Sequence, residues 1–375
     1  MESVPRTEVW IFFGQWCTKG VCRRNCVCHA LERQSWRHAY SLGMSDIGAH
    51  PDSTSSEHVG AGKEVVNQAA RRVFSLLALL VAAAAALTAA TSTAHARPID
   101  AGARYIALGA SYAAGPGITP VLDEGCLRSA RNYPGQLAEA LGLELVDVTC
   151  SGATTADILD NPQRLPGGQV LPPQIGAVTP DTELVTITIG GNDLGMIGGM
   201  IARSCGPGLV GVIPVVSFLA SEACASVLGD SVEPTPADFD RVRLSIAEVV
   251  RAVQSKAPNA TVLLVEYLPV VDRDGTVCAK VPLSQADAES ARRTYYGLIA
   301  ATRTAAHETG VDTVAAPNAD AHNACAATPW TYGFNSPLDS DAPNVGLVAT
   351  IASSYHPNAE GMSVVADEIA HALDS

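Results

Sequence analysis

Five short runs of β-branched and apolar residues, at 104–110, 143–149, 183–189, 260–266 and 311–315, recur along the chain. Helical patterns separate them at 134–141, 236–256 and 283–309, and a last one follows at 358–373. Continuous apolar runs suit strands covered on both faces, as in parallel sheets. Parallel strands need crossover connections, and helices supply them right-handed. The alternation therefore predicts an α/β chain folded as a three-layer α/β/α sandwich around a mainly parallel sheet. Pro236 in a first turn and Pro258 just past Lys256 bracket the longest uninterrupted pattern before residue 260. Neither an internal repeat nor an interior linker divides this region. In open sheets of this kind, ligands bind beyond the carboxyl ends of the strands.

The first hundred residues follow a different pattern. Residues 74–90 (FSLLALLVAAAAALTAA) are apolar and uncharged, Arg71-Arg72 precedes them, and Ala94-His95-Ala96 follows. A positive flank, a short apolar stretch and a small-residue exit describe a secretory signal peptide over 67–96. Arg71-Arg72-Val73-Phe74 also fits a loose twin-arginine signal, which leaves the export route open. Residues 1–66 read as a poorly structured extension, with translation starting later, at Met44 or near Val65. Cys17, Cys22, Cys26 and Cys28-His29 in this stretch lack C-x2-C spacing and make no metal site. The folded domain is expected over 97–375.

Composition narrows the function. With 47% hydrophobic and 17% charged residues, the 375-residue chain is not disordered as a whole. Its net charge of −14 argues against nucleic-acid binding, which needs Lys and Arg to neutralise phosphates. The expected domain keeps six cysteines: Cys126, Cys150, Cys205, Cys224, Cys278 and Cys325. An even count in an exported chain reads as a disulfide framework. Neighbour pairing is the simplest arrangement: Cys126–Cys150, Cys205–Cys224 and Cys278–Cys325.

Residues with chemical potential stand where the strands stop. The first run ends in Gly109-Ala110-Ser111-Tyr112, which places Ser111 as a nucleophile in need of a base, or as a helix N-cap. The second ends in Cys150-Ser151-Gly152, and the third in Gly190-Gly191-Asn192-Asp193. A Gly152 backbone N–H and an Asn192 side-chain amide are donors of the kind that stabilise a developing oxyanion. Each is also an ordinary turn residue, and Asp193 is the alternative functional group at the third turn. His356, in Ser353-Ser354-Tyr355-His356-Pro357, precedes the terminal helix, which Pro357 is expected to open. His is the usual general base for Ser. His307 and His371 fall on helical patterns and read as surface residues, and His322 is a weaker candidate base in a loop.

In this order, Ser111, Gly152, Asn192 and His356 resemble the SGNH hydrolase superfamily, the GDSL-type lipases and esterases, over nearly the whole of 97–375. The six-cysteine layout looks like its secreted actinobacterial branch. The family's Gly-Asp-Ser-Leu reads Gly109-Ala110-Ser111-Tyr112 here, and the acid it usually places three residues before the histidine is Ser353. The resemblance implies a flavodoxin-like sheet and a serine esterase or lipase without metal or cofactor. It implies Ser111 as nucleophile, His356 as base, and an oxyanion hole of the Ser111 N–H, Gly152 and Asn192. The backbone carbonyl of Ser353 is the expected acceptor that orients His356, with Asp339 or Asp341 as alternatives.

The substrate is expected to be a small-molecule or lipid ester. The apolar stretch 209–228 suggests an acyl-chain pocket, lipid-surface contact or a buried core helix. A carbohydrate O-acetyl esterase, an acyltransferase and an inactive secreted binding domain are the competing readings. A monomer is expected.

Overall fold

The structure is a computed structural model that describes residues 99–208, 232–336 and 340–374. The N-terminal extension, the signal segment, the 209–228 stretch, Cys224 and Asp339 lie outside the described residues.

Five parallel strands form the central sheet: β1 (Arg104–Gly109), β2 (Glu144–Asp147), β3 (Leu184–Thr188), β4 (Thr261–Val265) and β5 (Asp312–Val314). Their spatial order is β2-β1-β3-β4-β5. This is the flavodoxin-like order, with its switch point between β1 and β3. Tyr105, Ile106, Ala107 and Leu108 of β1 are wholly buried, and β3 is buried along its length. The edge strands β2 (Glu-Leu-Val-Asp) and β5 (Asp-Thr-Val) carry acidic residues and are only partly covered.

Helices α1 (Ser111–Ala114), α2 (Tyr133–Leu141), α3 (Thr155–Leu159), α4 (Met196–Gly208), α5 (Pro236–Lys256), α6 (Gln285–Thr309), α7 (Leu347–Ala352) and α8 (Ala359–Leu373) complete the three layers. α5 packs on α6, and α2 packs on α8. Val242, Ile246, Val249, Val250 and Val253 put the apolar stripe of α5 on one face, so burial selects a helix there. Local chemistry sets the ends of the long helices. Asn132 accepts the Gly135 N–H, Thr235 and Asp238 form a capping box, and Ser284 accepts the Asp287 N–H.

The last helix starts later than expected. Asn358 is its N-cap and accepts the Gly361 N–H, so Pro357 lies outside the helix and pairs with Thr331 in a short antiparallel bridge. A side-chain acceptor on the first-turn N–H groups outweighs the preference of Pro for the first turn.

The structure pairs Cys126 with Cys150 and Cys278 with Cys325. The expected Cys205–Cys224 bond falls outside the described residues. Cys126–Cys150 closes a separation of 24 residues and leads straight into the second strand-end turn, where the Ser151 N–H donates to the Cys126 carbonyl. Replacing both cysteines by Ala is expected to lower stability by about 3 kcal/mol, mainly by freeing the unfolded chain. Equilibrium denaturation would show this as a lower midpoint.

Candidate active site

The carboxyl end of β1 runs into a forced turn. Gly109 has φ +144, and a Cβ there would lie 2.4 Å from the Thr188 carbonyl oxygen of the adjacent strand. Only glycine lets β1 and β3 stay this close. Ala110 then donates its N–H to the same carbonyl at 3.0 Å, and the chain enters α1 with Ser111 as its first residue. Ser111 is therefore not the N-cap; Ala110 holds that position and offers no side-chain acceptor. The turn is held from outside the sheet by Gln174. Its side-chain carbonyl accepts the Gly109 N–H at 2.8 Å, and its amide donates to the Gly109 carbonyl at 3.0 Å. Nothing in the sequence announces that pairing across 65 residues.

The imidazole that meets Ser111 arrives from the other end of the chain. His356 Nε2 lies 2.7 Å from Ser111 Oγ, and Nδ1 lies 2.9 Å from the Ser354 carbonyl oxygen. A carbonyl only accepts, so Nδ1 carries the proton and the lone pair of Nε2 faces the Ser111 hydroxyl. The expected acceptor, Ser353, is thus corrected to Ser354. The Ser353 carbonyl accepts the backbone N–H of His356 at 3.2 Å instead. The Ser353 hydroxyl donates to the Thr350 carbonyl and accepts from the Asn335 amide, away from the imidazole. A Cβ on Gly117 would lie 2.5 Å from the Ser353 Cβ, so the loop after α1 packs directly on this turn. Asp341 is exposed and pairs with Ser340, so it does not reach the histidine.

His356 is 4% exposed. Burial, which penalises the imidazolium, pulls its pKa down to about 4; the Ser354 and Ser353 carbonyls oppose this only partly. The ring is therefore neutral across the physiological range, with an unprotonated nitrogen free to accept a proton. Tyr355, just before it, has φ +64. The left-handed region costs a bulky residue roughly 1–2 kcal/mol. Sequence reasoning had no signal for this turn.

The second and third strand ends meet beside α3. Gly152 has φ +84 and is exposed, and a Cβ there would find no atom closer than 3.7 Å. Its glycine serves backbone conformation, since only the positive φ and not space demands it. Asn192 donates through Nδ2 to the Ala153 carbonyl at 2.8 Å, which ties the two turns together and leaves its second amide proton unused by that bond. Asp193 accepts the Thr155 N–H and hydroxyl, and so caps α3. It thus serves that helix as a first-turn acceptor.

The remaining histidines separate cleanly. His307 and His371 are exposed on α6 and α8, as expected. The His322 ring stacks on Trp330 at 3.8 Å, and its Nδ1 lies 2.7 Å from the Thr328 carbonyl, so it packs locally instead of serving Ser111.

A serine hydroxyl bonded to a buried neutral imidazole, at the carboxyl edge of a doubly wound parallel sheet, has the geometry of an α/β serine hydrolase. The chain belongs to the GDSL-like lipase/acylhydrolase family, whose model matches residues 107–364, and is a carboxylic ester hydrolase. Lipase 2 of Streptomyces coelicolor is 33% identical over 302 residues, covering 77% of this chain and 92% of that protein. The crystal structure of an extracellular lipase from Streptomyces rimosus superposes with a TM-score of 0.50 at 27% identity, covering 71% of this chain and 99% of that one. The phospholipase A1 structure from Streptomyces albidoflavus, at 24% identity and a TM-score of 0.51, shares the fold over 72% of this chain and 100% of its own. The fold and family expected from the four strand-end and loop motifs are thereby borne out.

Proposed function

We propose that the protein is a secreted serine esterase or lipase that works through an acyl-enzyme on Ser111. The observation that carries the reading is the 2.7 Å contact between Ser111 Oγ and His356 Nε2, with the Nδ1–H held by the Ser354 carbonyl. His356 takes the proton as Ser111 attacks the ester carbonyl, and the tetrahedral oxyanion is met by the Ser111 N–H, the Gly152 N–H and the Asn192 amide. Collapse expels the alcohol, which receives the proton from His356. Water then enters, again deprotonated by His356, and releases the acid while Ser111 recovers its proton. Binding the Nδ1–H needs only a fixed acceptor, so the carbonyl of Ser354 replaces an acid in holding tautomer and orientation.

Asn192 is the oxyanion donor most open to test. Asn192→Ala is expected to lower kcat by about 10²–10³-fold with a small change in KM. Steady-state kinetics on a p-nitrophenyl ester measures both.

For the substrate, the leading reading is a carboxylic ester with a medium or long acyl chain. The relatives described as lipases support it, together with the apolar 209–228 stretch. Hydrolysis of p-nitrophenyl esters from acetate to palmitate tests it directly. A maximum at longer chains is expected, whereas activity confined to acetate points to short O-acyl substrates. Export through a signal peptide at 67–96, with 97–375 as the mature domain, agrees with the two disulfides described and with the extracellular relative from Streptomyces rimosus. N-terminal sequencing of secreted protein would find Arg97 first.

A further inference from the structure

Two hydrogen bonds join the dipeptide Ser111-Tyr112 to the dipeptide Tyr355-His356. One links Ser111 Oγ and His356 Nε2; the other runs from the Tyr112 hydroxyl to the Tyr355 carbonyl at 2.7 Å. The hydrolytic steps use only the first.

The second acts on a demanding piece of backbone. Tyr355 stands at φ +64, where bulky side chains are rarely found, and its backbone sets the direction in which His356 leaves the loop. Such a conformation persists only when its surroundings over-determine it. Three contacts do so here. The Tyr355 N–H donates to the Gly333 carbonyl at 3.1 Å, its hydroxyl meets Ser204 Oγ at 2.5 Å, and its carbonyl receives the Tyr112 hydroxyl. The first two tie Tyr355 to other loops and to α4. Only the third ties it to the residue beside the nucleophile.

Tyr112 is well placed for this task. It is 3% exposed, its ring lies 4.3 Å from that of Tyr267 and 5.3 Å from the His356 imidazole, and the proton of its hydroxyl is committed to the Tyr355 carbonyl. We propose that Tyr112 is a positioning residue whose hydroxyl holds the left-handed Tyr355 turn, so that His356 Nε2 stays aimed at Ser111 Oγ. Because Tyr112 follows Ser111 directly, the nucleophile and the direction of its base are referenced to the same turn of α1. The inference rests on the reading of Ser111 and His356 as nucleophile and base.

Without the hydroxyl, the Tyr355 carbonyl loses its partner and the turn loses its link to α1. The imidazole then spends less time in line with Ser111 Oγ, and proton transfer slows in proportion. Ester binding is left alone, since the hydroxyl is occupied by protein. Small misalignments of reacting groups carry large penalties, so Tyr112→Phe in the full chain is expected to lose roughly 10- to 100-fold in kcat. KM on p-nitrophenyl butyrate should stay within about twofold. Inactivation by diethyl p-nitrophenyl phosphate, which also needs an activated serine, should slow by the same factor as kcat. The phenyl ring is retained, so the melting temperature reports any general loss of structure. Unchanged kcat in a folded Tyr112→Phe protein would overturn the proposal, as would a kcat loss that merely follows loss of folded protein. Ser111→Ala assayed alongside separates the two levels. If it abolishes activity while Tyr112→Phe does not lower kcat, only the positioning role fails; if it keeps activity, the nucleophile assignment fails and the proposal falls with it.

Discussion

Ser111→Ala is expected to lower kcat by about 10⁴-fold or more while the protein remains folded. In the proposed mechanism the serine oxygen is the atom that bonds to the acyl group, so its removal deletes the acyl-enzyme path as a whole. What survives is the oxyanion-binding turn and ester binding, which accelerate direct attack by water only modestly. Folding should tolerate the change. Ser111 sits in a one-turn helix whose neighbours Tyr112, Ala113 and Ala114 are all buried, and alanine suits that position. The one group left unpaired is His356 Nε2, at a cost of about 1–3 kcal/mol. Circular dichroism together with p-nitrophenyl ester hydrolysis would report both results. A variant that retained even a tenth of the parent rate would remove Ser111 from the mechanism.

The second large effect concerns acidity. His356 accepts a proton only when neutral, and burial holds its pKa down to about 4. The acid limb of kcat/KM should therefore fall near pH 4, well below the value of about 6.5 for an unburied imidazole. At pH 5 the parent should keep most of its neutral activity, where a solvent-exposed histidine base would have lost about 97% of it. Stability shifts the same way. Between pH 6.5 and 4 the unfolded chain binds a proton that folded His356 refuses, so stability is full above that window and falls as pH drops through it. The loss amounts to about 3 kcal/mol once pH lies below both values. His356→Gln, which does not titrate, should lose that part of the pH dependence and lower kcat by about 10⁴-fold. Denaturation midpoints and rate profiles from pH 4 to 8 would measure it. An acid limb near 6.5 would mean that the imidazole is solvated in the working enzyme.

The strands and long helices were legible because their signals are one-dimensional. Tyr105 to Leu108 is apolar without a break because both faces of β1 are covered, and α5 shows its buried stripe in the spacing of its valines. The caps Asn132, Thr235 and Ser284 stand next to the helices they start. Where two local rules met, at Pro357 and Asn358, the capping hydrogen bond prevailed over the proline. The one-turn helix α1 and the five-residue α3 are too short for a 3.6-residue period to show.

For the site, the residue types and order singled out Ser111 and His356, which the fold brings into contact, and the carbonyl anchor was anticipated one residue off. The offset arises at Tyr355, whose left-handed backbone brings the Ser354 carbonyl, not that of Ser353, to Nδ1. Gln174 on Gly109 and Tyr112 on Tyr355 escaped notice because each is a contact between distant segments, across 65 and 243 residues. No pattern in neighbouring residues encodes such pairings.

The most direct test of the account is to trap the acyl-enzyme. The full chain would be mixed briefly with a slowly hydrolysed p-nitrophenyl ester, quenched in acid, digested and mapped by mass spectrometry. A single acyl adduct on the peptide that carries Ser111, absent from Ser111→Ala, is the predicted result. An adduct on another residue, or hydrolysis at full rate with no adduct on Ser111, would contradict it.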